Sequence, residues 1–243
     1  VGDDDEVILA GGNVTPVVRI GGTVRRETGP WAPAVHRLLE RCGEAEVPGT
    51  PRVHGIDEQG REILSFLPGE VLADAAPEIL WSRAILRKAA RLLRRIHDAG
   101  APLAADPLVW RAPRHEPAEV VCHNDFAPYN LLISDAAIAA IDFDFASPGP
   151  RLWDVAYLAY RIAPLAEDAP AFDPERFGSP DERIAELVAS YGGDWSTAEV
   201  RAMAAVRLEE LAAFTEARAA ETGRDDLAGH ARMYRRDAAR LRA

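Results

Sequence analysis

An α+β chain of two lobes, β-rich at its start and mainly helical after it, is the architecture the sequence predicts. Three observations carry that expectation. The first third alternates short β-branched runs with Gly-containing turns. Leu67-Pro68-Gly69 breaks the alternation and sets the expected boundary between a lobe over residues 1–67 and a lobe over 68–243. Beyond it, apolar residues recur at helical spacing.

The elements follow in order. Glu6-Val7-Ile8-Leu9-Ala10 reads as a strand entering Gly11-Gly12-Asn13, which is either a plain turn or a short phosphate-facing loop. Thr15–Ile20 and Thr23–Arg26 flank Gly21-Gly22, a hairpin signal. A helix is expected over Trp31–Glu44, with Val35, Leu38, Leu39 and Cys42 on one face. Arg52–Ile56 and Arg61–Phe66 are two further strands around Asp57-Glu58-Gln59-Gly60. Ile79–Asp98 reads as one helix, its apolar side formed by Leu86, Ala89, Ala90, Leu93 and Ile96 and its arginine-rich side in solvent. Ser196 with Glu199 forms a capping box that opens a long helix stopping before Gly223.

Composition narrows the function classes. The 243 residues, 48% of them apolar, suffice for a large core. A net charge of −11 argues against a nucleic-acid partner, which needs a basic face, and is compatible with a cationic one. No run reaches the roughly 18 apolar residues of a membrane span. No basic-then-apolar leader opens the sequence, so a cytoplasmic protein without a membrane partner is expected. Cys42 and Cys122 lack metal-ligand spacing and read as reduced thiols. Lys88 is the only lysine.

Chemistry concentrates between residues 120 and 157. Two apolar runs, Val120-Val121-Cys122 and Leu131-Leu132-Ile133, bracket a polar loop reading H-x-D-x-x-x-x-N through His123, Asp125 and Asn130. A further apolar run, Ile138–Ile141, ends in Asp142-Phe143-Asp144. Neighbouring strands that deliver Asp125, Asn130 and Asp142 to one edge gather hard oxygen donors of the kind magnesium takes alongside substrate phosphates. The remaining carboxylate can orient a hydroxyl and accept its proton. Aspartates at strand ends are also ordinary turn residues, and it is the two spacings together that set these apart.

On these residues the chain resembles the aminoglycoside phosphotransferase and choline kinase-like superfamily, which writes H-x-D-x-x-x-x-N and I-D-[FW]-[DE]. Pro148-Gly149-Pro150-Arg151-Leu152-Trp153-Asp154-Val155-Ala156 is similar to its P-G-D-P-x-x-D-[LV]-A segment. The resemblance implies a protein-kinase-like fold whose small lobe covers a nucleotide, ATP or GTP, with Mg2+. It implies Asp125 as catalytic base, and Asn130 and Asp142 as metal holders with Asp144 as a second metal contact. It also implies that His123 and Asp154 support the loop, and that Ser65 to Leu67 form the hinge whose backbone meets adenine.

One departure stands out. The family's strand lysine has no counterpart here; Thr23-Val24-Arg25-Arg26 occupies its place. Strand alternation puts Val24 and Arg26 on one face, so Arg26 is the expected phosphate grip and Arg25 the fallback. His36 and Glu40 are both candidates to pair with it. The acceptor is expected to be a small, cationic molecule with a hydroxyl, an aminoglycoside or another antibiotic, with Glu209, Glu210, Glu216, Glu167 and Asp168 as candidate contacts. A choline, homoserine or sugar-amine kinase is the metabolic alternative, and a weakly catalytic nucleotide-binding or immunity protein the other. A metal hydrolase is disfavoured, because no second histidine lies at ligand spacing near His123. The oligomeric expectation is a monomer or homodimer.

Overall fold

The computed structural model describes residues 6–9, 17–135 and 137–242, so Gly11-Gly12-Asn13 lies outside the described residues. Strands β1 (Glu6–Leu9), β2 (Val17–Ile20) and β3 (Thr23–Arg26) lead into helix α1 (Ala32–Glu44), followed by β4 (Val53–Ile56) and β5 (Glu62–Ser65). They form one antiparallel sheet in the order β1-β2-β3-β5-β4. The hairpin turns on Gly21-Gly22, with Ile20 paired to Thr23 and Gly21 at φ 56°. α1 buries Val35, Leu38, Leu39 and Cys42, the spacing read from the sequence.

The chain then changes sheets. β6 (Glu70–Val71) pairs with β8 (Leu131–Ser134), and β8 pairs with β9 (Ala137–Ala140). β7 (Val120–Cys122) pairs instead with β10 (Ser147–Gly149). The α1–β4 connection is fastened to this half of the molecule at Gly49, whose carbonyl accepts from the Ala140 N–H at 2.8 Å. Gly49 sits at φ 72°, and a Cβ there would lie 2.4 Å from the Ile138 carbonyl oxygen. Only glycine meets both demands.

The helices are α2 (Pro77–Leu80), α3 (Arg83–Gly100), α4 (Arg151–Ile162), α5 (Pro174–Phe177), α6 (Pro180–Tyr191), α7 (Thr197–Thr222) and α8 (Asp225–Arg242). The single helix expected over 79–98 is thus divided. α2 ends at Trp81, and Ser82 caps a new helix by accepting from the Ile85 N–H at 3.2 Å. The arginine-rich side of α3 is only partly a solvent face, because Arg83 and Arg87 both meet Glu186 of α6. α7 begins with the Ser196–Glu199 capping box and ends at left-handed Gly223.

One apolar cluster runs from Val35 and Leu38 of α1 and Leu64 of β5, through Leu86, Leu93 and Ile96 of α3, to Leu158, Leu187 and Leu208. Burial pushes the Cys42 thiol up to about 12 and raises that of Cys122, so both stay protonated and inert. No described helix is long and apolar enough to cross a membrane.

Candidate active site

The loop between β7 and β8 is held from below before it presents anything. Asp154, in the first turn of α4 and fully buried, accepts the backbone N–H groups of His123 at 2.5 Å and Asn124 at 2.9 Å. His97 Nε2 meets the same carboxylate at 3.1 Å, and His97 Nδ1 meets the Tyr191 hydroxyl at 2.8 Å. Burial alone would raise the Asp154 pKa; the His97 hydrogen bond and charge outweigh it and hold it below the ordinary carboxylate value. His97, Cys122 and Asp154 converge as a metal trio would, but their polar atoms are committed to this brace, Cys122 Sγ donating to the Pro150 carbonyl at 3.4 Å.

Asn124 adopts φ 65° and is fixed there by every polar group it owns. Its amide donates to the Phe145 carbonyl and Ser147 Oγ, both at 2.8 Å, and its side-chain oxygen accepts from Trp153 Nε1 at 2.9 Å. Its backbone carbonyl accepts from Arg207. A left-handed non-glycine residue persists where its surroundings over-determine it, and here they do.

Asp125 follows, and both its oxygens are oriented. Oδ1 accepts from the Tyr129 hydroxyl at 2.5 Å, and Oδ2 from Asn130 Nδ2 at 2.8 Å. Tyr129 in turn meets the Tyr157 hydroxyl at 2.8 Å. Burial pushes the Asp125 carboxyl up from its usual value against the Tyr129 hydrogen bond, which makes it a better proton acceptor than a free carboxylate. Because Asn130 donates through its amide nitrogen, its carbonyl oxygen is the end available as a ligand.

Asp142 ends the strand-like run after β9 at φ 62°, its side chain 44% exposed. Arg26 reaches across from β3 to both acids, Nη1 to Asp142 at 2.9 Å and Nη2 to Asp144 at 2.6 Å. Its Nε donates to Glu62 Oε1 at 2.5 Å, and His36 Nε2 meets the other Glu62 oxygen at 2.8 Å. The partner of Arg26 in its own lobe is therefore Glu62 of β5. His36 acts one step behind it, and Glu40 pairs with Arg37 on the helix surface. Burial would lower the Arg26 pKa, but Glu62, Asp144 and Asp142 together raise it, so the guanidinium stays charged. Burial also raises the Asp144 carboxyl, against the pull of Arg26. Arg111 takes the second Asp144 oxygen at 3.2 Å.

Of the other expected nucleotide contacts, Arg25 turns away from these acids and bonds Thr23. Ser65 closes β5, its Oγ accepting from the Arg52 N–H at 2.9 Å, and Leu67 lies between β5 and β6. The donors present fit a magnesium ion: the Asn130 carbonyl oxygen and Asp142 carboxylate are hard ligands, one of them well exposed. Both oxygens of Asp144 already accept from arginine.

Beside Asp125 opens a cavity of about 450 Å³, lined by Phe145 and by Arg207, Glu210, Leu211 and Phe214 of α7 among others. That is an ordinary size for a small-molecule site. Of the five acids expected around an acceptor, only Glu210 lines this cavity. Glu209 pairs with Arg242, Glu216 with Arg235, Glu167 with Arg236 and Asp168 with Arg161. Tyr129, Glu62, Arg111 and Arg207 are the site residues that sequence reasoning passes over. Tyr129 alone carried a signal, standing inside the loop motif next to Asn130.

A β-sheet lobe over a helical lobe, with a loop aspartate and a strand-end aspartate facing a cationic strand residue, defines a kinase-like fold. Solved structures agree. A Plasmodium vivax ethanolamine kinase superposes with a TM-score of 0.71 at 11% identity, covering 97% of this chain and 82% of that one. The aminoglycoside phosphotransferase APH(3'')-Id from Streptomyces rimosus, solved with ADP and streptomycin, gives 0.56 at 17% identity, covering 82% and 90%. The model of the phosphotransferase enzyme family matches residues 103–206. That segment holds Asp125, Asn130 and Asp142, and over it the chain is similar to the family. A trifolitoxin immunity protein of Rhizobium leguminosarum bv. trifolii is 35% identical over 174 residues, 68% of this chain. The match spans 65% of that relative's length.

Proposed function

We propose that this chain transfers a phosphoryl group from ATP or GTP to a hydroxyl of a small cationic molecule. The observation that carries the reading is Asp125: a carboxylate oriented at both oxygens, raised in pKa by burial, and open to a cavity able to hold an acceptor. Asp125 positions the acceptor hydroxyl and takes its proton as the oxygen attacks phosphorus and the nucleoside diphosphate leaves. Arg26, with Arg25 as fallback, grips nucleotide phosphate, and the backbone of Ser65 to Leu67 receives the base. Asn130 and Asp142 would hold magnesium, which supplies charge neutralisation on phosphate oxygens. Residues 1–67 act as the nucleotide lobe and 68–243 as the catalytic and acceptor lobe. The immunity relative supports an antibiotic or related toxin as acceptor, with modification as the means of resistance.

ADP release against a panel of hydroxylated amines and aminoglycosides tests this. Asp125→Ala is expected to lower turnover by about 10²–10⁴-fold, the worth of a positioned base, with nucleotide affinity nearly unchanged. A variant that keeps most of the wild-type rate removes Asp125 from the role. A second reading, an immunity protein that binds nucleotide with little catalysis, is favoured by the hold of Arg26 on both Asp142 and Asp144. It predicts nucleotide binding without ADP release on any acceptor.

A further inference from the structure

The cavity beside Asp125 differs in chemistry from a site for a polycation. Its charged lining comprises two cations, Arg111 and Arg207, and two acids, Asp125 and Glu210, beside His115. On the proposed mechanism Asp125 is reserved for the hydroxyl. That leaves one carboxylate, Glu210, for an ammonium group, and its partner His115 Nε2 lies at 2.9 Å. The remaining acids of the helical lobe named above are held by arginines outside the cavity. A second or third ammonium on a ligand would face guanidinium groups without an acid to answer them, which counts against polyamines.

The rest of the wall is apolar. Phe145 and Phe214 meet edge to face at 5.9 Å, and Leu211, Ala213, Ala112 and Pro113 complete the surface. Phe214 is 53% exposed although it sits in the cavity, which is costly for a phenyl ring with nothing to cover it. Arg111 lies over Phe145 at 4.6 Å and over Trp31 at 4.4 Å, so it acts as part of an aromatic wall while its Nη1 donates to Asp144. Arg207 is 6% exposed and packed against Trp153 and Tyr157, and its Nε has no partner among the described residues. His115 Nδ1 is likewise buried without a partner.

From this lining we infer that the acceptor is an amphiphilic amino alcohol: one amine seated on Glu210, an aromatic or otherwise apolar body against Phe145 and Phe214, and the reactive hydroxyl at Asp125. The inference rests on the phosphoryl-transfer reading for the role of Asp125, and on the cavity alone for the rest. It separates this site from one made for aminoglycosides, whose several ammonium groups need several carboxylates.

Four probes divide the features: phenylalaninol with ring, amine and hydroxyl; 3-phenylpropan-1-ol without the amine; alaninol without the ring; and kanamycin as a polycation. Affinities are read by saturation-transfer NMR on the full chain with AMP-PNP and Mg2+ present, so no turnover is required. Phenylalaninol is expected to bind about tenfold or more tighter than alaninol, from ring burial, and tighter than kanamycin. It should exceed 3-phenylpropan-1-ol by about fivefold to tenfold, the worth of a charge-assisted contact. Glu210→Gln should erase the second difference and Phe214→Ala the first, circular dichroism confirming that each variant folds. Kanamycin binding as tightly as phenylalaninol, unchanged ratios in either variant, or no transfer to the aromatic probes overturns the inference. ADP release with the same probes in parallel samples, with ATP in place of AMP-PNP, keeps the two readings apart. Phenylalaninol bound but never phosphorylated sinks phosphoryl transfer and leaves the cavity chemistry standing, whereas ADP release driven by kanamycin alone does the reverse.

Discussion

Tyr129 shows how one side chain tunes the proposed base. Its hydroxyl donates to Asp125 and so favours the ionised carboxylate, while burial favours the protonated one. A base must be deprotonated to act, so activity is expected to fall as pH drops through an Asp125 pKa that lies above the ordinary aspartate value. Removing the hydroxyl removes a contribution that lowers that pKa. Tyr129→Phe should therefore move the acid limb of the kcat/KM profile to higher pH; a limb that stays in place or moves down would show that Tyr129 does not act on the base. Asn124 has the opposite character. Its side chain is spent on Phe145, Ser147 and Trp153, and its left-handed backbone with this full set of partners aims the next residue along the chain.

Strand β3 settles by its alternation which of two adjacent arginines meets the acids. Residues two apart share a face, and Arg26 with Val24 faces inward while Arg25 bonds Thr23 beside it. Arg26→Ala should weaken binding of a fluorescent ADP analogue far more than Arg25→Ala, by about tenfold or more if a charge-assisted contact is lost. Equal losses would defeat the strand-face argument. The β7–β8 loop and the Asp142-Phe143-Asp144 segment were legible in advance because their spacing is local: strand, loop and strand lie within about two dozen residues. Glu62 was not legible as the partner of Arg26, because no local pattern pairs residues that meet only through the β3–β5 ladder. Arg111 and Arg207 escaped for the same reason, lying in a loop and mid-helix with partners brought to them by packing. The division of the helix at Ser82 was readable in principle from its N-cap, but the continuous apolar spacing hid it.

At the scale of the molecule, the two lobes are not independent bodies. The apolar cluster passes without interruption from α1 and β5 into α3 and the helices beyond, and Gly49 and Arg26 add polar links across the same boundary. Heat should therefore unfold the chain in one cooperative transition, with equal calorimetric and van't Hoff enthalpies; two resolved transitions would mean that the shared core does not couple the lobes. The arginine proposed as the phosphate grip carries a last consequence. Acyl-phosphate nucleotide reagents tag kinases by acylating the amine that lies against the phosphates, and a guanidinium that never deprotonates offers them no nucleophile. The sequence has one lysine, Lys88, which belongs to α3 and not to β3. Surveys that find nucleotide sites by that label would pass over this protein even with ATP bound.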